Sequence, residues 1–167
     1  MEVSVRYTAL LVPALGLLAL VSDTGLSQAT ATQSLTLSVS SVAKIAVSGN
    51  PGPLTIASGV AGTDAVSSVT VASTTYSITH NNISNMRITA GLNIALDSGY
   101  KLEVALASDK GGPAGTVDIS TGAAVNVVTG IPKGADAGRT ITYTFSADAS
   151  AGTMTSTNRT VTLTLTN

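Results

Sequence analysis

Arg139-Thr140-Ile141-Thr142-Tyr143-Thr144-Phe145 is answered further on by Arg159-Thr160-Val161-Thr162-Leu163-Thr164-Leu165. Both stretches alternate threonine with an apolar residue. Side chains of a strand point alternately to its two faces, so each stretch carries one threonine face and one apolar face. Ile141, Tyr143 and Phe145 are predicted to enter a core, as are Val161, Leu163 and Leu165. The small, polar segment 148–158 reads as the loop of a hairpin joining them. A period of two in the most regular part of the chain assigns it to the all-β class.

The same period recurs elsewhere. In 33–40, Leu35, Leu37 and Val39 point one way and Ser34, Thr36 and Ser38 the other, which predicts a first strand. The phase slips by one residue at Ser40-Ser41, a signal of a bulge or kink. Ser48-Gly49-Asn50-Pro51-Gly52-Pro53 is a dense turn signal, and 54–57 follows as a short strand. Val69, Val71, Tyr76 and Ile78 carry another strand over 69–78. It is broken by His80-Asn81-Asn82, where His80 reads as a solvated turn residue. Segments 86–96 and 100–106 form a second expected hairpin about Asp97-Ser98-Gly99. Two shorter strands fall in 116–120 and 124–131, and 132–138 reads as a loop. The tally of roughly eight or nine short strands predicts an antiparallel β-sandwich. Unequal strand lengths and a kinked first strand favour a sandwich over a barrel.

The first 31 residues read as a signal-peptide helix, to be cleaved from a β-sandwich domain at 32–167. Arg6 supplies a basic start, 9–21 is apolar, and Ala29 and Ala31 occupy the small-residue positions of a cleavage site. Cleavage is placed after Ala31, with Ala29 as the alternative. The apolar run is shorter than the ~20 residues of a spanning helix, so no membrane insertion is expected once the leader is removed. An outer-membrane barrel is also disfavoured. Tyr76, Tyr100, Tyr143 and Phe145 are too few to build aromatic girdles. The chain has no cysteine, which excludes disulfides and a lipid attached to a cysteine after the leader. The expected location is secreted, either extracellular or at the cell surface.

Charge excludes further classes. Removing Glu2, Arg6 and Asp23 with the leader leaves acidic and basic residues in equal number and scattered. Nucleic acid is therefore a poor partner, and near-zero charge lowers the barrier to self-association. Nothing points to an enzyme. His80 is the one histidine, and no nucleophile elbow, phosphate loop or dinucleotide fingerprint occurs. Asp64, Asp109, Asp118, Asp136 and Asp148 lie in or near expected loops without a neighbouring carboxylate, so they read as solvated turn residues rather than calcium ligands. No cofactor or metal is expected.

The mature N-terminus, Thr30-Ala31-Thr32-Gln33-Ser34-Leu35-Thr36-Leu37-Ser38-Val39, the Gly/Ala/Thr-rich middle and the final strand at 159–165 resemble bacterial fimbrial subunits and spore-coat-U-like secreted proteins. The resemblance implies an immunoglobulin-like sandwich that builds surface fibres or coats, often completed by a strand from a chaperone or the next subunit. It carries over no individual residue's role. The leading expectation is a structural or adhesive surface subunit that forms a homo-polymer, or joins other surface proteins, by strand addition or edge pairing. Leu35, Leu37 and Val39 would be its inserting side chains. The alternative is a monomeric binding module for a glycan or surface partner, contacting it through loops that carry Asn50, Asp109, Lys110, Lys133 and Asp136.

Overall fold

A computed structural model describes residues 29–167, with nine strands and one short 3-10 turn at Ala149–Ala151. All but its last three residues, the expected leader lies outside the described residues. What is described divides into 29–37, which has no regular structure, and a body from Ser38 onward. The strands are β1 (Ala43–Val47), β2 (Ala65–His80), β3 (Met86–Leu92), β4 (Tyr100–Leu106), β5 (Gly112–Pro113), β6 (Val117–Asp118), β7 (Val125–Ile131), β8 (Gly134–Asp148) and β9 (Val161–Thr166). They form two antiparallel sheets, β1-β2-β8-β4-β6 and β5-β7-β3-β9. The fold is the expected all-β sandwich.

The alternation in the sequence becomes the core. Met86, Ile88, Ala90 and Leu92 face inward from β3, Leu102, Val104 and Leu106 from β4, and Ile141 and Tyr143 from β8. Tyr76 and Ile78 of β2, Ile119, and Val127, Val128 and Ile131 of β7 complete the cluster. Each fully buried aliphatic side chain contributes about 1.5–3 kcal/mol relative to exposure, so a core of this size closes without a disulfide. The outward residues are mainly threonines. Thr70 of β2 and Thr144 of β8 are paired in register, with their hydroxyls 3.1 Å apart.

Neither expected hairpin forms. β8 pairs with β2 and β4, whereas β9 pairs with β3 in the other sheet. β3 and β4 are likewise divided between the sheets. Alternation dictates which face of a strand is buried but not which strand lies beside it. Placing successive strands in opposite sheets lets their apolar faces meet across the core. The connection through Asp97-Ser98-Gly99 therefore crosses between sheets. Gly99 has φ +88°, and a Cβ there would lie 2.7 Å from Ala151 Cβ.

Four further expectations are corrected. Segment 33–40 forms no strand, since an alternating face without an adjacent edge has nothing to pair with, and β1 begins only at Ala43. Segment 54–57 is also irregular, although Leu54 packs against the core. The expected loop at 132–138 is mostly strand, because β8 starts at Gly134. His80 is not a solvated turn residue: it ends β2 and is only 2% exposed. It continues the inward row of Thr74, Tyr76 and Ile78, which bulges bring into phase with the core.

Neither ring nitrogen of His80 has a hydrogen-bond partner among the described residues. A buried polar group left unpaired costs about 1–3 kcal/mol. His80→Leu is therefore expected to raise the unfolding free energy by about 1 kcal/mol, measured by urea denaturation at neutral pH. A loss of stability of that size would show that the imidazole has a partner within the fold.

Candidate functional site

The N-terminal arm is the most unusual surface of the chain. Leu35, Leu37 and Val39 are 77%, 82% and 89% exposed. Large apolar side chains scattered singly on a surface are ordinary. Three such residues at every second position of a segment without regular structure leave apolar surface that water covers at a cost. Ser34, Thr36 and Ser38 alternate with them in the sequence.

Just before β1, Asn81 acts as a clamp. Its Oδ1 accepts from the Val42 amide at 2.7 Å, and its Nδ2 donates to the Ser40 carbonyl at 2.9 Å. The Asn81 amide also donates to the Val42 carbonyl at 3.1 Å. One side chain thus stands in for a β-ladder partner and fixes Ser40 and Val42 immediately before β1. In the sequence, Asn81-Asn82 reads only as a break after a strand; nothing marks the side chain as a backbone mimic.

Within the body, a cleft of about 880 Å³ opens between the segment 45–54 and the segment 157–163. Leu54, Leu96, Tyr143, Phe145, Val161 and Leu163 are among its lining residues. Phe145 stacks on Tyr100 with ring centroids 6.2 Å apart, which fixes one apolar wall. Asn50 lies at the cleft, in the turn that carries Pro51 and Pro53.

The remaining sequence-selected residues gather elsewhere. Asp136 is not in a loop: it is buried in β8 with its side chain 2% exposed. Its Oδ2 accepts from Ser108 Oγ at 3.0 Å and from the amides of Asp109 and Lys110 at 3.0 and 3.3 Å. Its Oδ1 lies 2.6 Å from Arg139 Nε, and Arg139 also pairs with Asp109. Tyr76 donates to the Ala107 carbonyl at 2.7 Å, holding the same loop from the other side. Gly111 closes it tightly. A Cβ there would lie 2.7 Å from Val128 Cγ1 and 2.8 Å from the Thr129 carbonyl. Asp109, Lys110 and Asp136 are therefore one structural latch. Lys110 and Lys133 are exposed, and Asn50 belongs to the cleft instead.

The latch is also the chain's main buried electrostatic feature. Burial pushes the Asp136 carboxyl up. The hydrogen bonds from Asp109 and Ser108, the Arg139 charge and the Lys110 amide outweigh it and hold its pKa below the usual carboxylate value. Among the described residues, no three of His, Asp and Glu gather as a metal site would require. No helix among them is long and apolar enough to cross a membrane. Comparison with protein-family models, curated proteins and solved structures finds no match.

The lowered pKa of Asp136 fixes the sign of a pH dependence. The carboxylate contributes its full stability above the unfolded value of about 3.9 and loses it as pH falls through the lower folded value. Asp136→Asn is expected to cost about 2 kcal/mol at pH 7, because Ser108, two amides and Arg139 lose an ionised acceptor. It should also flatten the acid limb of stability below about pH 4. Urea denaturation of both proteins across that range is the check. An acid limb as steep in the variant as in the parent would place the dependence on another carboxylate.

Proposed function

We propose that the chain is a secreted structural or adhesive subunit of a cell surface, assembling by strand addition with its N-terminal arm as the donor. The observation that carries this reading is the alternating row of Leu35, Leu37 and Val39, exposed on a segment that pairs with no strand. Burial of three such side chains in a neighbour supplies on the order of 5 kcal/mol before the cost of ordering the arm. Main-chain hydrogen bonds along an added strand give the contact its direction. The leader-like start at 1–31 supports export, and the near-neutral charge lets copies approach. The exposed apolar row suits assembly.

The test replaces Leu35, Leu37 and Val39 together by serine. Size-exclusion chromatography and negative-stain electron microscopy should show oligomers or fibres in the parent and a monomer in the variant. The unfolding free energy should stay within about 0.5 kcal/mol of the parent, because the side chains are already in water. Assemblies that survive the triple substitution would rule out the arm as donor.

A further inference from the structure

We infer that the cleft beside β9 binds a single-chain anionic amphiphile, a fatty-acid-like carboxylate whose chain lies on the apolar floor and whose head pairs with Arg159. The inference goes beyond the assembly reading and uses no residue of the N-terminal arm. Ligand sites are concave, of about 300–1,000 Å³, mainly apolar, and supplied with a few placed polar groups. The cleft of about 880 Å³ has that make-up. Leu96, Leu102, Ile141 and Phe145 give it an apolar floor, and Arg159 is the one charged residue among the described residues that line it.

The period of β9 puts Arg159 there. It stands two residues before Val161, in a half-buried row with Val161, Leu163 and Leu165, while Thr160, Thr162 and Thr164 are exposed. Asn93 keeps the chain in this phase. Its backbone amide donates to the Thr160 carbonyl at 2.9 Å, and its Oδ1 accepts from the Thr160 amide at 2.9 Å. These two bonds carry the β3–β9 ladder one residue beyond the Leu92–Val161 pair. The inward row therefore ends on a cation. From Arg159 to Leu163 it presents a charged end and then apolar wall over about 13 Å at strand rise.

This cation has no counter-charge. Arg159 Nη1 donates to Thr157 Oγ1 at 2.8 Å and to the Asn158 carbonyl at 3.4 Å. Its Nε is shielded from water and has no hydrogen-bond partner among the described residues. Arg139 holds the matching place in its own alternating stretch and is answered by Asp136 and Asp109. Arg159 forms no ion pair among the described residues, and neither Asp nor Glu lines the cleft. A desolvated guanidinium calls for an anion, and a carboxylate offers two oxygens to its planar fork.

Tyr143 adds a second donor. It lines the same cleft, and its hydroxyl has no hydrogen bond among the described residues. Tyr76 and Tyr100, by contrast, donate to the carbonyls of Ala107 and Ala151. Burial raises the Tyr143 pKa, so the hydroxyl keeps its proton at neutral pH. Unpartnered donors in an apolar cleft select an occupant that carries oxygen acceptors as well as hydrocarbon. A cationic or purely apolar molecule leaves Arg159 without a counter-charge.

Isothermal titration calorimetry with dodecanoate, kept below its micelle concentration, is the test. Binding should saturate at one molecule per chain. Dodecyltrimethylammonium keeps the hydrocarbon and reverses the charge, so it should bind at least about tenfold more weakly. Acetate, the head without the chain, should not bind. Arg159→Gln should weaken dodecanoate binding about tenfold, and Arg159→Lys, which keeps the charge, should recover part of the loss. Arg87→Gln, on the exposed face of β3, should change nothing. The ligand series needs no variant, so it decides the matter even where Arg159→Gln fails to fold. Absence of saturable dodecanoate binding would overturn the site. Equal affinity for dodecyltrimethylammonium, or an Arg159→Gln protein that binds as the parent does, would overturn it too, by showing apolar adsorption alone. The chain with Leu35, Leu37 and Val39 replaced by serine should bind dodecanoate as the parent does. Loss of binding there would put the ligand on the arm and overturn the cleft.

Discussion

Ile88, Ala90 and Leu92 of β3 share one buried cluster with Leu102, Val104 and Leu106 of β4 and Ile141 and Tyr143 of β8. That meeting of apolar faces across two sheets is the contact on which the rest of the molecule depends. It exists because β3 and β4, and likewise β8 and β9, are dealt to opposite sheets, so the chain crosses the sandwich after Leu92 and again after Asp148. The same requirement turns the threonines outward on both sheets. It accounts for the exposed polar rows, for the bulges that re-phase β2, and for the inward position of His80. With little aromatic volume available, the core is filled by branched aliphatics of matched size, which pack densely on a pleated surface.

A cavity with a purpose is hard to separate from a defect in such a core. The cleft between 45–54 and 157–163 lies where the two sheets end in strands of different character. On one flank the chain leaves β1 at a turn rich in proline and glycine; on the other β9 runs straight and uncharged. The opposite flanks are closed by very short strands and by the latch of Asp136 on Ser108, Asp109 and Lys110. The molecule therefore has one guarded side and one open side, and the asymmetry is set by a few residues.

Much of this was legible in the residues, for identifiable reasons. A period of two reports burial face directly, so the class, the two-layer architecture and most core positions of β3, β4, β8 and β9 follow from it. Pairing partners do not, because a hairpin and a crossing between sheets have the same alternation. That is why 139–145 and 159–165 read as neighbours. Pro132, Gly134 and Gly138 concealed the start of β8, and with it the burial of Asp136, because glycine and proline signal loops unless tertiary pairing overrides them. His80 was misplaced because His80-Asn81-Asn82 signals a turn, whereas β2 runs on to His80 in the phase of Tyr76 and Ile78. The arm was legible as an apolar row but not as an unpaired one, since paired and unpaired segments carry the same alternation. The Asn81 clamp had no sequence signal beyond a pair of asparagines after a strand.

The exposed arm has a consequence for the lifetime of a single copy. An extended, solvated backbone with no ladder partner is the conformation that a protease cleft accepts, and every residue of 29–39 is exposed. The arm is thus open to trimming. Trimming would remove Leu35, Leu37 and Val39 and leave every strand in place, since β1 begins at Ala43. Loss of the arm would thus leave the buried cluster of the sandwich untouched, because none of its members lies before Tyr76.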